Sequence, residues 1–112
     1  MREFQIALAK GDVPRALAYM ADDIVCDVIG HKRTKGKDAY FAAFADALKT
    51  NKAKELVIEN IITHGSTGAV NGCLTTANGT VHAFYDIYIF SGASAKAKIK
   101  EVKEYDIEIE HL

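Results

Sequence analysis

The sequence predicts an α+β domain, with helices gathered in the first half and an antiparallel sheet in the second. Two observations carry that prediction. The first half sets apolar residues at helical spacing, interrupted by one short β-rich run, whereas the second half holds four strand-like runs. Short turns join those four runs, and strands connected so briefly pair antiparallel, leaving the helices to cover one face.

Phe4, Ile6, Ala7 and Leu8 supply a first helix with its apolar face, and Gly11 ends it in the C′ position. Asp12 caps a second helix, with the single proline, Pro14, in the first turn where its missing N–H costs nothing. Leu17, Tyr19 and Met20 follow on that helix, and Asp22-Asp23 breaks it. Residues 24–29 form a short β-rich run and residues 30–36 a basic, polar loop. A third helix over residues 36–49 has Asp38 at its positive end. Its Tyr40, Phe41, Phe44, Ala47 and Leu48 recur at helical spacing and predict one buried face. The strands then run over 56–64, 69–77, 80–91 and 99–109. Gly65-Ser66 and Asn78-Gly79 make the turns, and residues 91–98 form a looser connection.

The chain has 112 residues and 12.2 kDa, which fits a single domain over 1–112. Apolar residues at 49% and charged residues at 26% exclude disorder. Apolar runs only a few residues long exclude a membrane-spanning helix. The opening MREFQIALAKGD has no apolar core of a secretory signal, so a cytoplasmic protein is expected. A net charge of −1 argues against nucleic acid as a partner. Cys26 and Cys73 are too few for a disulfide scaffold and read as reduced core thiols. No nucleophile elbow, phosphate loop or paired-cysteine motif is present, so no cofactor is expected. His31, His64 and His111 read as solvated.

Alternation divides the 80–91 strand into two sets. Ala83, Tyr85, Ile87 and Ile89, with Val81, make an apolar stripe suited to an interface. His82, Phe84, Asp86, Tyr88 and Phe90 mix apolar walls with polar groups, as a ligand pocket requires. A hairpin closing symmetrically about Ala95 sets Asp86 opposite Glu104, with Cβ atoms roughly 5 Å apart. Two carboxyls that close in a dry pocket cannot both ionise cheaply, so one holds a proton and the pair offers an acid and a base. The competing reading turns Glu104 to solvent beside Lys103, or ties Asp86 to a tyrosine hydroxyl as a structural group. His82 lies four residues from Asp86, roughly 13 Å along the strand, too far to share a metal ion, and no metal site is expected. It reads as a rim histidine near Glu108.

Several segments resemble the nuclear transport factor two-like superfamily, in particular its SnoaL-like branch. They are ALAKGD followed by YMADDIVCDVIG, the Gly36-Lys37-Asp38-Ala39 helix start, the Tyr85-Asp86-Ile87-Tyr88-Ile89-Phe90 strand and the closing run from Ile99 to Asp106. The resemblance covers nearly the whole chain. It implies a cone-shaped, curved antiparallel sheet wrapping the long third helix, with two short N-terminal helices, an internal pocket and a homodimer through the outer sheet face. It also implies acidic roles for Asp86 and Glu104. Asp86 sits where ketosteroid isomerases carry an oxyanion-hole aspartic acid, and both acids match those of limonene epoxide hydrolases. Asp27 lies near the isomerases' general base, although an ungapped match puts Val28 there. Phe4 stands in place of the isomerase tyrosine and Phe84 in place of the epoxide hydrolase arginine, so neither catalytic set is complete. The expectation is a cofactor-free enzyme of cyclase, isomerase or dehydratase type that moves a proton on a small hydrophobic, oxygenated molecule. Asp86 and Glu104 would be its acid and base, and Phe84, Tyr88, His82, Phe90, Asp27, Tyr19 and Phe44 would contact the ligand. The alternative is a non-catalytic ligand-binding or dimerisation domain on the same fold.

Overall fold

The computed structural model describes residues 1–50, 52–94 and 96–109, residues 48–50 by their backbone alone; the expected burial of the Leu48 side chain, the hairpin centre at Ala95 and the reading of His111 lie outside what is described. Helix α1 (Arg2–Lys10) stops where Gly11 turns left-handed at φ 71°. The Gly11 and Asp12 N–H groups then close onto the carbonyls of Leu8 and Ala7. Asp12 caps α2 (Val13–Ala18) by accepting the Arg15 N–H, with Pro14 in the first turn.

Strand β1 (Met20–Val28) begins earlier than the β-rich run suggests. Asp22 and Asp23 lie inside it, exposed, where its pairing slips between Met20 and Val25. The expected basic loop is partly a strand, β2 (Lys32–Lys35), paired antiparallel with β1. Lys32, Arg33 and Lys35 are exposed and Thr34 is buried, so a charged strand forms the sheet edge.

Helix α3 (Lys37–Thr50) lies against β1 and β2. Its buried stripe is narrower than expected. Tyr40 and Ala45 are buried and Phe44 is half-buried against Tyr40, with ring centroids 5.0 Å apart. Phe41 is 46% exposed and Ala47 is exposed. Residue 41 sits about 100° around the helix from residue 40, outside the i, i+4 line that meets the sheet.

Strands β3 (Ala53–His64), β4 (Thr67–Thr76), β5 (Val81–Phe90) and β6 (Ile99–Ile109) form an antiparallel meander. The full order is β2-β1-β6-β5-β4-β3 in one curved, unclosed sheet, and β1 pairs parallel with β6. Bulges bend it, and beside the one in β3, between Ile58 and Asn60, the backbones crowd. A Cβ on Gly72 would stand 1.9 Å from the Val57 carbonyl oxygen, so only glycine fits there.

The core lies between the helices and the inner sheet face. Phe4, Ala7, Ala16, Met20, Ile24, Cys26, Tyr40, Val70, Tyr88, Ile99 and Val102 make one buried cluster. Phe4 meets Tyr88 edge-on at 5.8 Å and Tyr19 at 6.5 Å. In α1, Ile6 is exposed and Gln5 is buried, which reverses the sequence-based expectation for this face and brings a polar side chain to the site.

Candidate functional site

The site grows from one ladder. In the β5–β6 pair, Asp86 stands directly opposite Glu104, the register that hairpin symmetry predicts, and Phe84 stands opposite Asp106. Across the parallel ladder, Glu104 neighbours Val28 of β1. Directly paired residues share a sheet face, so Phe84, Asp86, Glu104, Asp106 and Val28 all point inward.

These residues line a cavity of about 250 Å³. Leu8, Ala9 and Gln5 of α1 form one wall, Leu74 and Ala53 another, and Phe84 and Val28 the sheet side. Its lining includes three acids, and among the described lining residues there is no lysine or arginine.

Asp86 is 5% exposed. The Gln5 Nε2 group donates to Asp86 Oδ2 and also to the Tyr88 hydroxyl, and that hydroxyl in turn donates to Asp86 Oδ2 at 3.4 Å. Burial raises the Asp86 carboxyl above its ordinary range and the charge of Asp106 adds to this, while the two donors pull it back. Glu104 is half-buried as a residue with its carboxyl turned to the cavity. Desolvation pushes it up, followed by the charges of Asp86 and Asp106, and no donor opposes them. The two titrate as a pair, in which one carboxyl keeps its proton well above the usual carboxylate range. Cys26 and Tyr40, buried nearby, are raised by desolvation and by the same carboxyls, and so stay neutral.

The structure separates the other residues singled out from the sequence. Phe84 lines the cavity. His82 is at the rim, but its partner is Asp106, with Nδ1 to Oδ1 at 2.7 Å, rather than the directly opposed Glu108. Asp27 faces away from the cavity: it pairs with Lys103 and Arg33 on the outer face, and its neighbour Val28 takes the inner position. Tyr88 is fully buried beneath Asp86 and stacks on Phe90 at 6.2 Å. Tyr19 packs on Phe4, and Phe44 on Tyr40. These four aromatic side chains fill the end of the cone that the helices close, and none is among the described lining residues.

Sequence reasoning missed Gln5, Leu8, Ala9, Ala53, Leu74 and Asp106. Two signals pointed to four of them. Residues 5, 8 and 9 share one helical stripe at i, i+3 and i+4, and Asp106 shares the alternation of Glu104. Among the described residues no group of histidine, cysteine and acidic side chains could hold a metal ion. None of their helices is long and apolar enough to cross a membrane.

Comparison with known proteins places this geometry in context. The model of the SnoaL-like domain matches residues 1–101. An NTF-2 like protein from Burkholderia xenovorans superposes with a TM-score of 0.79 at 18% identity, over 99% of this chain and 82% of that one. An NTF2-like protein from Cytophaga hutchinsonii gives 0.69 at 23% identity, over 95% of both chains. A ketosteroid isomerase-like protein from Erwinia carotovora atroseptica gives 0.68 at 20% identity, over 95% and 89%. At such identities the likeness is one of fold. No curated protein of matching sequence was found.

Proposed function

The chain belongs to the SnoaL-like domain family, and from that premise we propose that it is a cofactor-free enzyme moving a proton on a small hydrophobic, oxygenated molecule. The observation that carries this reading is the opposed Asp86–Glu104 pair in an apolar-walled cavity that, among the described residues, no lysine or arginine lines. A carboxylate beside a carboxylic acid can take a proton from one atom of a ligand and return one to another. Phe84, Leu8 and Leu74 offer the apolar walls, and Asp106 with His82 stands at the mouth. Isomerisation, dehydration and ring closure all use this pair of operations.

The experiment is hydrogen–deuterium exchange at the α-carbon of a panel of small cyclic ketones, followed by NMR. Exchange by the wild type, lost in Asp86→Asn and in Glu104→Gln, is the expected result. Ketones that bind in the cavity without exchanging would overturn the reading in favour of a ligand-binding domain. One observation favours that second reading: Asp86 is already engaged by Gln5 and Tyr88, as a structural carboxyl would be.

We also propose that a second copy of this chain covers the outer sheet face. Tyr85, Tyr105 and Ile107 are 47%, 40% and 67% exposed there, beside Ala83, Ile87 and Ile89, and water-exposed apolar area of this kind favours association. Sedimentation at micromolar concentration is expected to give a dimer, and a stable 12.2 kDa monomer would refute it.

A further inference from the structure

Asp86 and Glu104 are chemically alike and directly opposed, so on the ladder alone either could be the acid. The asymmetry comes from a helix far away in sequence. Gln5, 81 residues before Asp86, directs its amide nitrogen to Asp86 Oδ2, and its second contact is the Tyr88 hydroxyl. We propose that Gln5 is the positioning residue of the pair: by holding Asp86 Oδ2 it makes Asp86 the proton acceptor and leaves the transferable proton on Glu104. This deepens the acid–base reading above and rests on it.

The donor and acceptor roles close in one way. The Tyr88 hydroxyl accepts from the Gln5 Nε2 group, which leaves its own hydrogen for Asp86 Oδ2. Asp86 Oδ2 therefore receives two donors, and a carboxylate that accepts donors is favoured in its charged form. Among the described residues no side chain donates to Glu104, and its neighbour across the parallel ladder is the apolar Val28. Gln5 does not titrate, so its donation is the same at every pH. It is held in place from both sides. Its neighbour Phe4 is wedged edge-on against Tyr88 and Tyr19, and the Gly11–Asp12 turn fixes the far end of α1.

The other titratable groups near the pair do not supply this asymmetry. Cys26 of β1 and Tyr40 of α3 are neutral, and both are affected by both carboxyls. On β6, Asp106 bears on both, and His82 of β5 is engaged with Asp106.

The test is residue-resolved carboxyl-carbon NMR titration of the intact, ligand-free chain. In the wild type Asp86 is expected to ionise first and Glu104 last. Gln5→Met keeps the length and removes the donor, and is expected to raise the Asp86 midpoint by about one to two pH units, bringing the two midpoints together or reversing them. Tyr88→Phe, which loses only the longer bond, is expected to shift Asp86 the same way by less. Wild-type Glu104 ionising before Asp86 overturns the proposal without any variant. Midpoints unmoved in Gln5→Met overturn it as well, and if that variant does not fold, an Asp86 midpoint unmoved in Tyr88→Phe does so in its place. Because no substrate is present, failure here is distinct from failure of the proposed function. Ketone exchange that survives in Asp86→Asn would end the acid–base reading while leaving the titration order as observed.

Discussion

Two side-chain pairs sit on one face of the β5–β6 hairpin, their β6 acids a single alternation step apart. Glu104 faces Asp86 in the cavity beside α1, and among the described residues no side chain donates to it. Asp106, two residues on, has a side chain 41% exposed and an imidazole nitrogen 2.7 Å away. The β6 acids share one strand and one face, yet the inner pair joins two carboxyls that burial raises, whereas the outer pair joins a carboxyl to an imidazole at a more exposed rim. Part of this difference is the partner, since an imidazole can donate to a carboxylate and a second carboxylate cannot. The rest comes from the α1 roof over the inner pair and from a cavity lined, among the described residues, by no lysine or arginine.

The strongest way to break that contrast is to remove the roof. Phe4→Ala deletes a side chain 1% exposed that meets both Tyr88 and Tyr19. It is expected to cost about 3–5 kcal/mol in urea unfolding. It would also loosen Gln5, and water reaching the inner pair would relieve the desolvation that raises both carboxyls, so their midpoints are expected to fall.

The contrast also dictates how stability varies with pH. For Asp86 and Glu104 the folded-state values are raised, to about 7 and about 8 for the coupled pair. A carboxyl of this kind favours the folded state fully below its unfolded value near 4, because the folded state keeps the proton more tightly. That advantage is lost as pH rises through the window up to the folded values. Each group contributes a slope of at most about 1.4 kcal/mol per pH unit there. Unfolding at a series of pH values is expected to show stability falling from pH 4 to pH 8. Glu104→Gln, which cannot ionise, should flatten the curve and be more stable than wild type at pH 8.

A smaller effect sharpens the electrostatic half of the argument. Asp86→Asn removes the like charge that, after desolvation, does most to raise Glu104. The Glu104 midpoint is therefore expected to fall in a carboxyl NMR titration, while staying above the model value because burial remains. An unchanged midpoint would mean that the two carboxyls are not coupled.

The smallest effect belongs to the outer pair. His82→Gln removes the partner of Asp106 at the rim, where solvent already screens the charges. It is expected to cost less than about 1 kcal/mol, diminishing further with added salt. A loss as large as that of Phe4→Ala would erase the distinction between the two pairs.

Local rules carried much of the fold and part of the site into the sequence. Gly11 ends α1 and Asp12 caps α2 because turn and cap geometry depend on neighbouring residues alone. The Asp86–Glu104 register could be read for the same reason, since a short connection restricts how two strands can meet. Alternation also sorted β5 into two faces, but it could not say how deep along the inner face the cavity runs. Tyr88 and Phe90 share the parity of Phe84 and still ended in the core, because the helices close that end. On β1, the neighbours Asp27 and Val28 differ by one alternation step, and only the pairing of Val28 with Glu104 settles which points inward. That pairing is parallel and joins a strand near the start of the chain to one near its end, which no local pattern encodes. The same holds for Gln5, which reads as an ordinary polar residue of a short helix until α1 crosses the sheet and meets Asp86. Periodicity and turn chemistry act over a few residues, whereas desolvation and hydrogen bonding at the site depend on what is folded over it, and only the tertiary structure brings those distant segments together.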